Sequence, residues 1–222
     1  MATIAENLQA VKARLAGAPG VTLLAVSKGH GVERIREAAA AGQKAFGENY
    51  VQEAERKIDL LEREMRGLEW HLIGPLQSNK TRVVAERFQW VQTVEREKIA
   101  RRLSEQRPAS APPLNVLVQV NVSGEASKSG VLPEDVFSLC RSVMGLKSLR
   151  LRGLMAIPES GADRSRYREV KNLFDRLKGE FNLDTLSMGM TDDMDLAIAE
   201  GSTMVRIGTA IFGARQKVKS AA

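Results

Sequence analysis

Short apolar runs alternate along this chain with longer amphipathic stretches, the rhythm of β/α units around a parallel sheet. Ile4, Leu8, Val11 and Leu15 recur at helical spacing, which predicts a leading helix over residues 2–15. Residues 21–26 (VTLLAV) are too short and too continuously apolar for an independent helix and read as a buried strand. A helix over 32–41, stopped by Gly42, completes a first unit. The pattern then repeats: strands at 44–47, 68–73 and 90–94, with helices at 50–65, 79–87 and 95–106. The stretch RPASAPP (107–113) stops the last of these, because proline can neither donate a helical hydrogen bond nor fit the helix interior. Strands at 114–122, 149–157, 184–186 and 203–207 follow, with helices at 133–144, 165–178 and 192–200.

Eight strands, roughly 25 to 30 residues apart, predict a single closed (β/α)8 TIM barrel over residues 1–222 with an extra N-terminal helix. An open doubly wound sheet is the competing fold. It usually carries a glycine-rich phosphate turn after its first strand, and Ser27-Lys28-Gly29-His30-Gly31 matches neither common form of that turn. Splitting the chain at RPASAPP would leave two four-stranded halves with uncovered edges, so that segment is expected to be a loop within one barrel.

Composition narrows the class rather than the function. With 43% hydrophobic and 27% charged residues the 222-residue chain is an ordinary globular protein. Its net charge of +6 suits an anionic ligand, or weak attraction to nucleic acid, equally well. One cysteine, Cys140, excludes an intramolecular disulfide framework, and two distant histidines leave no zinc-ligand spacing. No apolar run approaches the roughly 20 residues that span a bilayer, and no secretory leader is evident, so a cytoplasmic protein without membrane contact is expected.

In such a barrel the loops after each strand converge on one mouth. Ser27, Lys28, Glu48, Asn49, His71, Gly74, Thr93, Asn121, Met155, the run 187–191, Arg206, Gly208 and Thr209 would lie there. Most are read as ordinary polar loop residues. Lys28 is singled out because it ends the apolar run LLAV. A lysine held against apolar walls has its charged form disfavoured, and its free amine becomes a better nucleophile toward an aldehyde. The competing reading is a solvated lysine ending a strand. Small residues in 187–191 and 205–210 let backbone N–H groups approach an anion, and barrel phosphate sites usually form after strands seven and eight. Taken singly, these glycines would merely make tight turns. A Schiff-base lysine and a phosphate cup at one mouth point to pyridoxal 5′-phosphate, PLP.

The segments AVSK (25–28), FGENYVQE (46–53), WHLIGPLQSNK (70–80), NVSGEASKSG (121–130), LRGLMAIP (151–158) and LSMGMTDDMDLAIAEGSTMVRIGTAIFGAR (186–215) resemble the pyridoxal phosphate homeostasis protein family, which is related to the N-terminal barrel of alanine racemase. The resemblance implies a PLP-binding barrel with the cofactor as an internal aldimine on Lys28. It also implies that Ser187, Gly208 and Thr209 hold the phosphate, that Arg206 faces the pyridine nitrogen and that Asn49 lines the ring. His71 is expected to point into the same mouth, or else to be a hydrogen-bonded core histidine. Relatives commonly have Thr-Lys-Pro after the Schiff-base lysine; here Gly29-His30-Gly31 stands there, and a more flexible loop is expected.

Arg206 beside the ring nitrogen would disfavour its protonation and weaken the ring as an electron sink, which argues against a transaminase or decarboxylase. A racemase needs a second acid/base on the opposite face of the substrate. Tyr50 and Tyr167 are the two tyrosines; Tyr167 is placed in a surface-type helix and Tyr50 is expected to pack rather than react. The resulting expectation is a PLP carrier or reservoir, monomeric, with PLP-dependent apo-enzymes as recipients and no catalytic residue; a role in vitamin B6 and amino-acid homeostasis is what the resemblance implies. Lys128 is a candidate secondary transfer lysine or a solvated loop lysine. A PLP-dependent amino-acid racemase is the alternative. The +6 charge and the cationic tail from Arg215 suggest the remaining rival, a basic RNA- or anion-binding barrel; for the PLP carrier no specific nucleic-acid partner is expected.

Overall fold

A computed structural model describes residues 2–125, 128–159 and 161–214. Eight parallel strands close into a barrel in sequential order: β1 (Thr22–Val26), β2 (Ala45–Glu48), β3 (Glu69–Leu72), β4 (Trp90–Val94), β5 (Leu114–Val120), β6 (Leu149–Ala156), β7 (Thr185–Ser187) and β8 (Met204–Ile207). Closure is made by β1 against β8, with Leu24 opposite Arg206 and Ala25 opposite Ile207. Around the barrel run α1 (Ile4–Leu15), α2 (Val32–Ala40), α3 (Val51–Leu61), α4 (Thr81–Arg87), α5 (Glu97–Gln106), α6 (Val136–Met144), α7 (Arg164–Phe181), α8 (Met194–Ala199) and α9 (Thr209–Phe212). Every expected strand is present, within two residues at either end. α9 was not expected; four residues are too few to show a helical period.

Alternation along the strands divides the core in two. Ala25, Phe46, Trp70, Leu72, Val91, Leu154, Leu186, Val205 and Ile207 belong to the large cluster between sheet and helices. The opposite face points into the barrel, where Leu24, Val26, Ala45, Ile73 and Met204 form one buried group and Trp90, Leu117 and Met155 another. Gly153 marks where β6 and β7 come closest. A Cβ there would stand 1.7 Å from the Thr185 carbonyl oxygen, so no other residue fits.

The leading helix is specified locally. Thr3 accepts from the Glu6 N–H while the Glu6 carboxylate accepts from the Thr3 N–H, a reciprocal cap that satisfies two otherwise orphaned donors. α1 packs on α2 and α9, and Asn7 donates to the Ile211 carbonyl. Segment 107–113 is a loop inside the barrel: buried Arg107 donates to Ala85 O, Phe88 O and Pro112 O, tying it to the end of α4. Cys140 is fully buried on the inner face of α6, as its helical position predicts. Among the described residues no helix is long and apolar enough to cross a membrane.

Candidate functional site at the barrel mouth

The C-terminal ends of the strands enclose a cavity of about 210 Å³. β1 and the residues after it supply Val26 and Lys28, and the turn after β2 supplies Asn49. Ile73 and Ile157 follow β3 and β6. The loop after β7 contributes Met190, Thr191 and Asp192, and β8 with its following turn contributes Arg206, Gly208 and Thr209. The lysine ending the first strand and the backbone turn after the last therefore face one chamber. Asn49 lines its wall, and its Oδ1 is buried with no hydrogen-bond partner among the described residues.

The main chain around the cavity is tightly constrained. A Cβ on Gly208 would lie 3.3 Å from the Val26 carbonyl oxygen, so the β8 turn passes close beside the end of β1. Thr209 opens α9, where the first amide N–H groups of a helix have no intrahelical acceptor and can receive an anion. Gly189 has φ +91°, and a Cβ there would meet the Ala197 Cβ at 2.6 Å. That left-handed turn carries Met190, Thr191 and Asp192 to the rim. Asp193 pins it by accepting from Met190 N at 2.6 Å and from the Tyr167 hydroxyl. Tyr167 is thus not a surface residue: it is buried, and its phenol pKa is raised by burial and by the Asp193 carboxylate.

Arg206 forms the floor. It is buried, with NH1 donating to Ser187 Oγ at 2.7 Å and NH2 donating to Ala156 O at 3.0 Å. Burial lowers its pKa to about 10, which leaves it cationic at neutral pH. Beneath Lys28, on the helix side of the sheet, buried Lys57 donates to Glu48 Oε1 and Glu53 Oε1, both at 2.7 Å, and to Ser27 O at 2.8 Å. Ser27 Oγ also donates to Glu48 Oε1, and Gly29 N to Glu53 Oε1. Burial outweighs the pull of Lys57 and raises the Glu48 pKa. This cluster grips the backbone on both sides of Lys28. In the Gly29-His30-Gly31 segment, His30 N donates to Ser27 O and the His30 ring stacks on Phe212 at 5.2 Å.

A second cavity of about 300 Å³ adjoins the first across Asn49, Ile73 and Ile157, and is lined by Thr93, Gln119, Asn121 and Lys128. Thr93 is engaged with Gly74 O, and Asn121 braces its own loop by accepting from Ser123 Oγ and Gly124 N. Lys128 therefore faces this neighbouring chamber rather than the Lys28 cavity.

Of the residues expected to hold a cofactor, Lys28, Asn49, Arg206, Gly208 and Thr209 meet around one cavity. Two do not. His71 is fully buried inside the barrel, between Glu69 and Gln92 and stacked on Trp90 at 5.1 Å; it is the hydrogen-bonded core histidine of the competing reading. Ser187 is also fully buried, its hydroxyl placed between Arg206 and Gln92 below the cavity floor. Both face inward as alternation requires, but too deep. Thr191 reaches the cavity instead, and the left-handed Gly189 two residues before it was the available signal. Tyr50 is 64% exposed at the start of α3 and neither packs in the core nor lines the Lys28 cavity. The cationic tail and Ser127 lie outside the described residues.

A family model described as alanine racemase, N-terminal domain, matches residues 1–216. The pyridoxal phosphate homeostasis protein of Pseudomonas aeruginosa is 57% identical over 97% of this chain and 97% of its own. That of Escherichia coli K12 is 52% identical over 99% and 97%. The structure of PipY from Synechococcus elongatus with PLP bound is similar at 36% identity and a TM-score of 0.86, covering 95% of this chain and all of that one. Alanine racemase from Bacillus anthracis, at 20% identity and a TM-score of 0.68, shares the fold over 97% of this chain and only 56% of its own.

Proposed function

Because this chain belongs to the pyridoxal phosphate homeostasis protein family, built on the alanine racemase N-terminal domain, we propose that it binds PLP at the barrel mouth and acts as a carrier or reservoir for it. One observation carries the reading: Lys28, the Gly208–Thr209 turn and the cationic floor made by Arg206 line a single small cavity. The residues present fit the group. Lys28 supplies the amine, and the backbone N–H groups at the start of α9 are placed for phosphate. Thr191 adds a hydroxyl at the rim, and Asn49 forms part of the wall.

Bound PLP supplies an aldehyde that condenses reversibly with a primary amine. Arg206 does what a carboxylate would not: as a fixed cation it disfavours a proton on a basic ring nitrogen brought against it. Hydrogen bonds to Ser187 and Ala156 hold the guanidinium in place. Lys57 and Glu53 fix the main chain flanking Lys28, so the amine is presented from a rigid base. Neither tyrosine lines the Lys28 cavity, which favours storage over racemisation, since inversion needs a second proton donor across the substrate. The reading includes a single-domain, monomeric, cytoplasmic protein that gives up its cargo to PLP-dependent apo-enzymes.

The test is a visible spectrum of protein loaded with PLP, followed by borohydride trapping and peptide mass spectrometry. The expected adduct lies on Lys28, and Lys28→Ala loses the visible band while its circular dichroism is unchanged. Trapping elsewhere, or an unaltered band in the variant, overturns the assignment. Racemisation of amino acids at rates matching a racemase control overturns the carrier reading.

A further inference from the structure

The barrel interior contains a continuous line of polar side chains that the proposed site does not explain. Arg206 NH1 donates to Ser187 Oγ at 2.7 Å, and Ser187 Oγ donates to Gln92 Oε1 at 2.7 Å. Gln92 Nε2 contacts His71 Nδ1 at 3.0 Å, and His71 Nε2 contacts Glu69 Oε1 at 2.8 Å. The line starts under the Lys28 cavity and ends at Glu69, the first residue of β3, whose side chain is 43% exposed at the opposite face of the barrel. His71, Gln92 and Ser187 are fully buried.

Its two ends allow only one polarity. A guanidinium can only donate, so Ser187 Oγ accepts from Arg206 and has its own proton for Gln92 Oε1. The Gln92 amide nitrogen can then only donate, and His71 Nδ1 must accept. The imidazole proton is left on Nε2, facing the Glu69 carboxylate, which can only accept. We propose that Gln92 and His71 are positioning residues for Arg206: a one-way chain of four hydrogen bonds fixes the guanidinium beneath the cavity and sets the His71 tautomer from across the barrel. The functional part rests on the reading of Arg206 as the group under bound PLP.

The charged groups around His71 are few. Glu69 precedes it on β3. Arg152 on β6 stacks over Trp90 at 4.8 Å and is paired with Asp184 at 2.8 Å, and Arg206 on β8 stands three hydrogen bonds away along the chain. Burial lowers the His71 pKa and the Glu69 contact opposes it. A second conformer of Gln92, with its amide turned over, would offer Oε1 to a proton on Nδ1 and so suit the doubly protonated ring. Ser187 forbids it, because its hydroxyl would then face two donors and lose its own acceptor.

Removing that hydroxyl is therefore expected to make a histidine it does not touch easier to protonate. The experiment is nitrogen-15 NMR of the two histidines in the full chain without added PLP, with His30→Gln used for assignment. Wild type is expected to show the Nε2–H tautomer of His71. In Ser187→Ala the His71 midpoint is expected to rise by about one pH unit or more; Ser187→Gly repeats the test should the first variant fold poorly. An Nδ1–H tautomer in wild type, or an unmoved midpoint in a folded variant, overturns the chain. The same variant loaded with PLP is expected to shift the pH dependence of the visible band. A changed midpoint with an unchanged band overturns the positioning role while leaving the chain. Failure of wild type to trap PLP on Lys28 would sink the functional reading alone, since the tautomer is measured without ligand.

Discussion

Replacing Lys57 with methionine isolates the cluster beneath Lys28 and yields a stability change whose pH dependence has a definite sign. Lys57 Nζ is the shared donor to Glu48, Glu53 and the Ser27 carbonyl. Methionine keeps much of the stem's packing and removes the charge. Among the described residues Glu48, whose side chain is fully buried, is then left with the Ser27 hydroxyl alone, and its Oε2 already has no partner. Removing one member of a buried ion pair costs about 3–5 kcal/mol when the other remains charged. With a urea m-value of about 2–3 kcal/mol per molar, this lowers the midpoint by about 1–2.5 M. Glu48 can escape by taking up a proton. Its folded-state pKa is already raised by burial against the pull of Lys57; without Lys57, burial and the nearby Glu53 both push it further upward. A carboxyl whose folded pKa exceeds its unfolded value binds more protons in the native state between the two values. Its contribution is then present below the unfolded pKa and lost as pH rises, with a slope of up to about 1.4 kcal/mol per unit. Urea melts at pH 5 and pH 8 should therefore show the larger deficit at pH 8. Adding Glu48→Gln, which removes the stranded charge, should restore part of the loss at pH 8. An equal deficit at both pH values, or one under about 1 kcal/mol, would refute the argument that Lys57 neutralises a buried carboxylate.

The same contacts give three further expectations. Gly74→Ala would place a Cβ 2.2 Å from the Asn49 carbonyl oxygen, so it should cost about 1–3 kcal/mol and weaken PLP loading by displacing Asn49; unchanged melting and loading would count against Asn49 as a wall of the site. Tyr167→Phe removes the hydroxyl that holds Asp193 and should cost about 1 kcal/mol while loosening the rim at Met190 and Thr191, read as faster amide exchange there. Cys140 is fully buried, and burial pushes its pKa to about 12, so at pH 8 only about one thiol in ten thousand is ionised. An aromatic disulfide reagent should label it only after denaturation, and prompt labelling of native protein would contradict the packing of α6.

The strands and helices were legible in the sequence because their signal is local. Leu114–Val120 and Trp90–Val94 are apolar runs too short to be helices, and the spacing of Tyr167, Val170, Phe174 and Leu177 already carried the buried face of α7. That stripe should also have shown Tyr167 to be buried. Lys57 offered a similar hint, lying four residues after Glu53 on the face shared with Ala54 and Leu61. Lys28, Arg206 and the Gly208–Thr209 turn were legible because each sits at or just past a strand end.

The amino-acid order by itself determined the number of strands and their sequence around the barrel. Only the tertiary structure decided depth. His71, Ser187, Arg206 and Lys28 all lie on the inward register, yet Lys28 and Arg206 line the mouth cavity while Ser187 and His71 are sealed beneath it. The height of a residue along the barrel axis depends on the tilt and stagger of all eight strands, set by closure of β1 on β8 and by the irregular registers of β4–β5 and β5–β6. That stagger is a property of the closed sheet as a whole, and no window of sequence contains it.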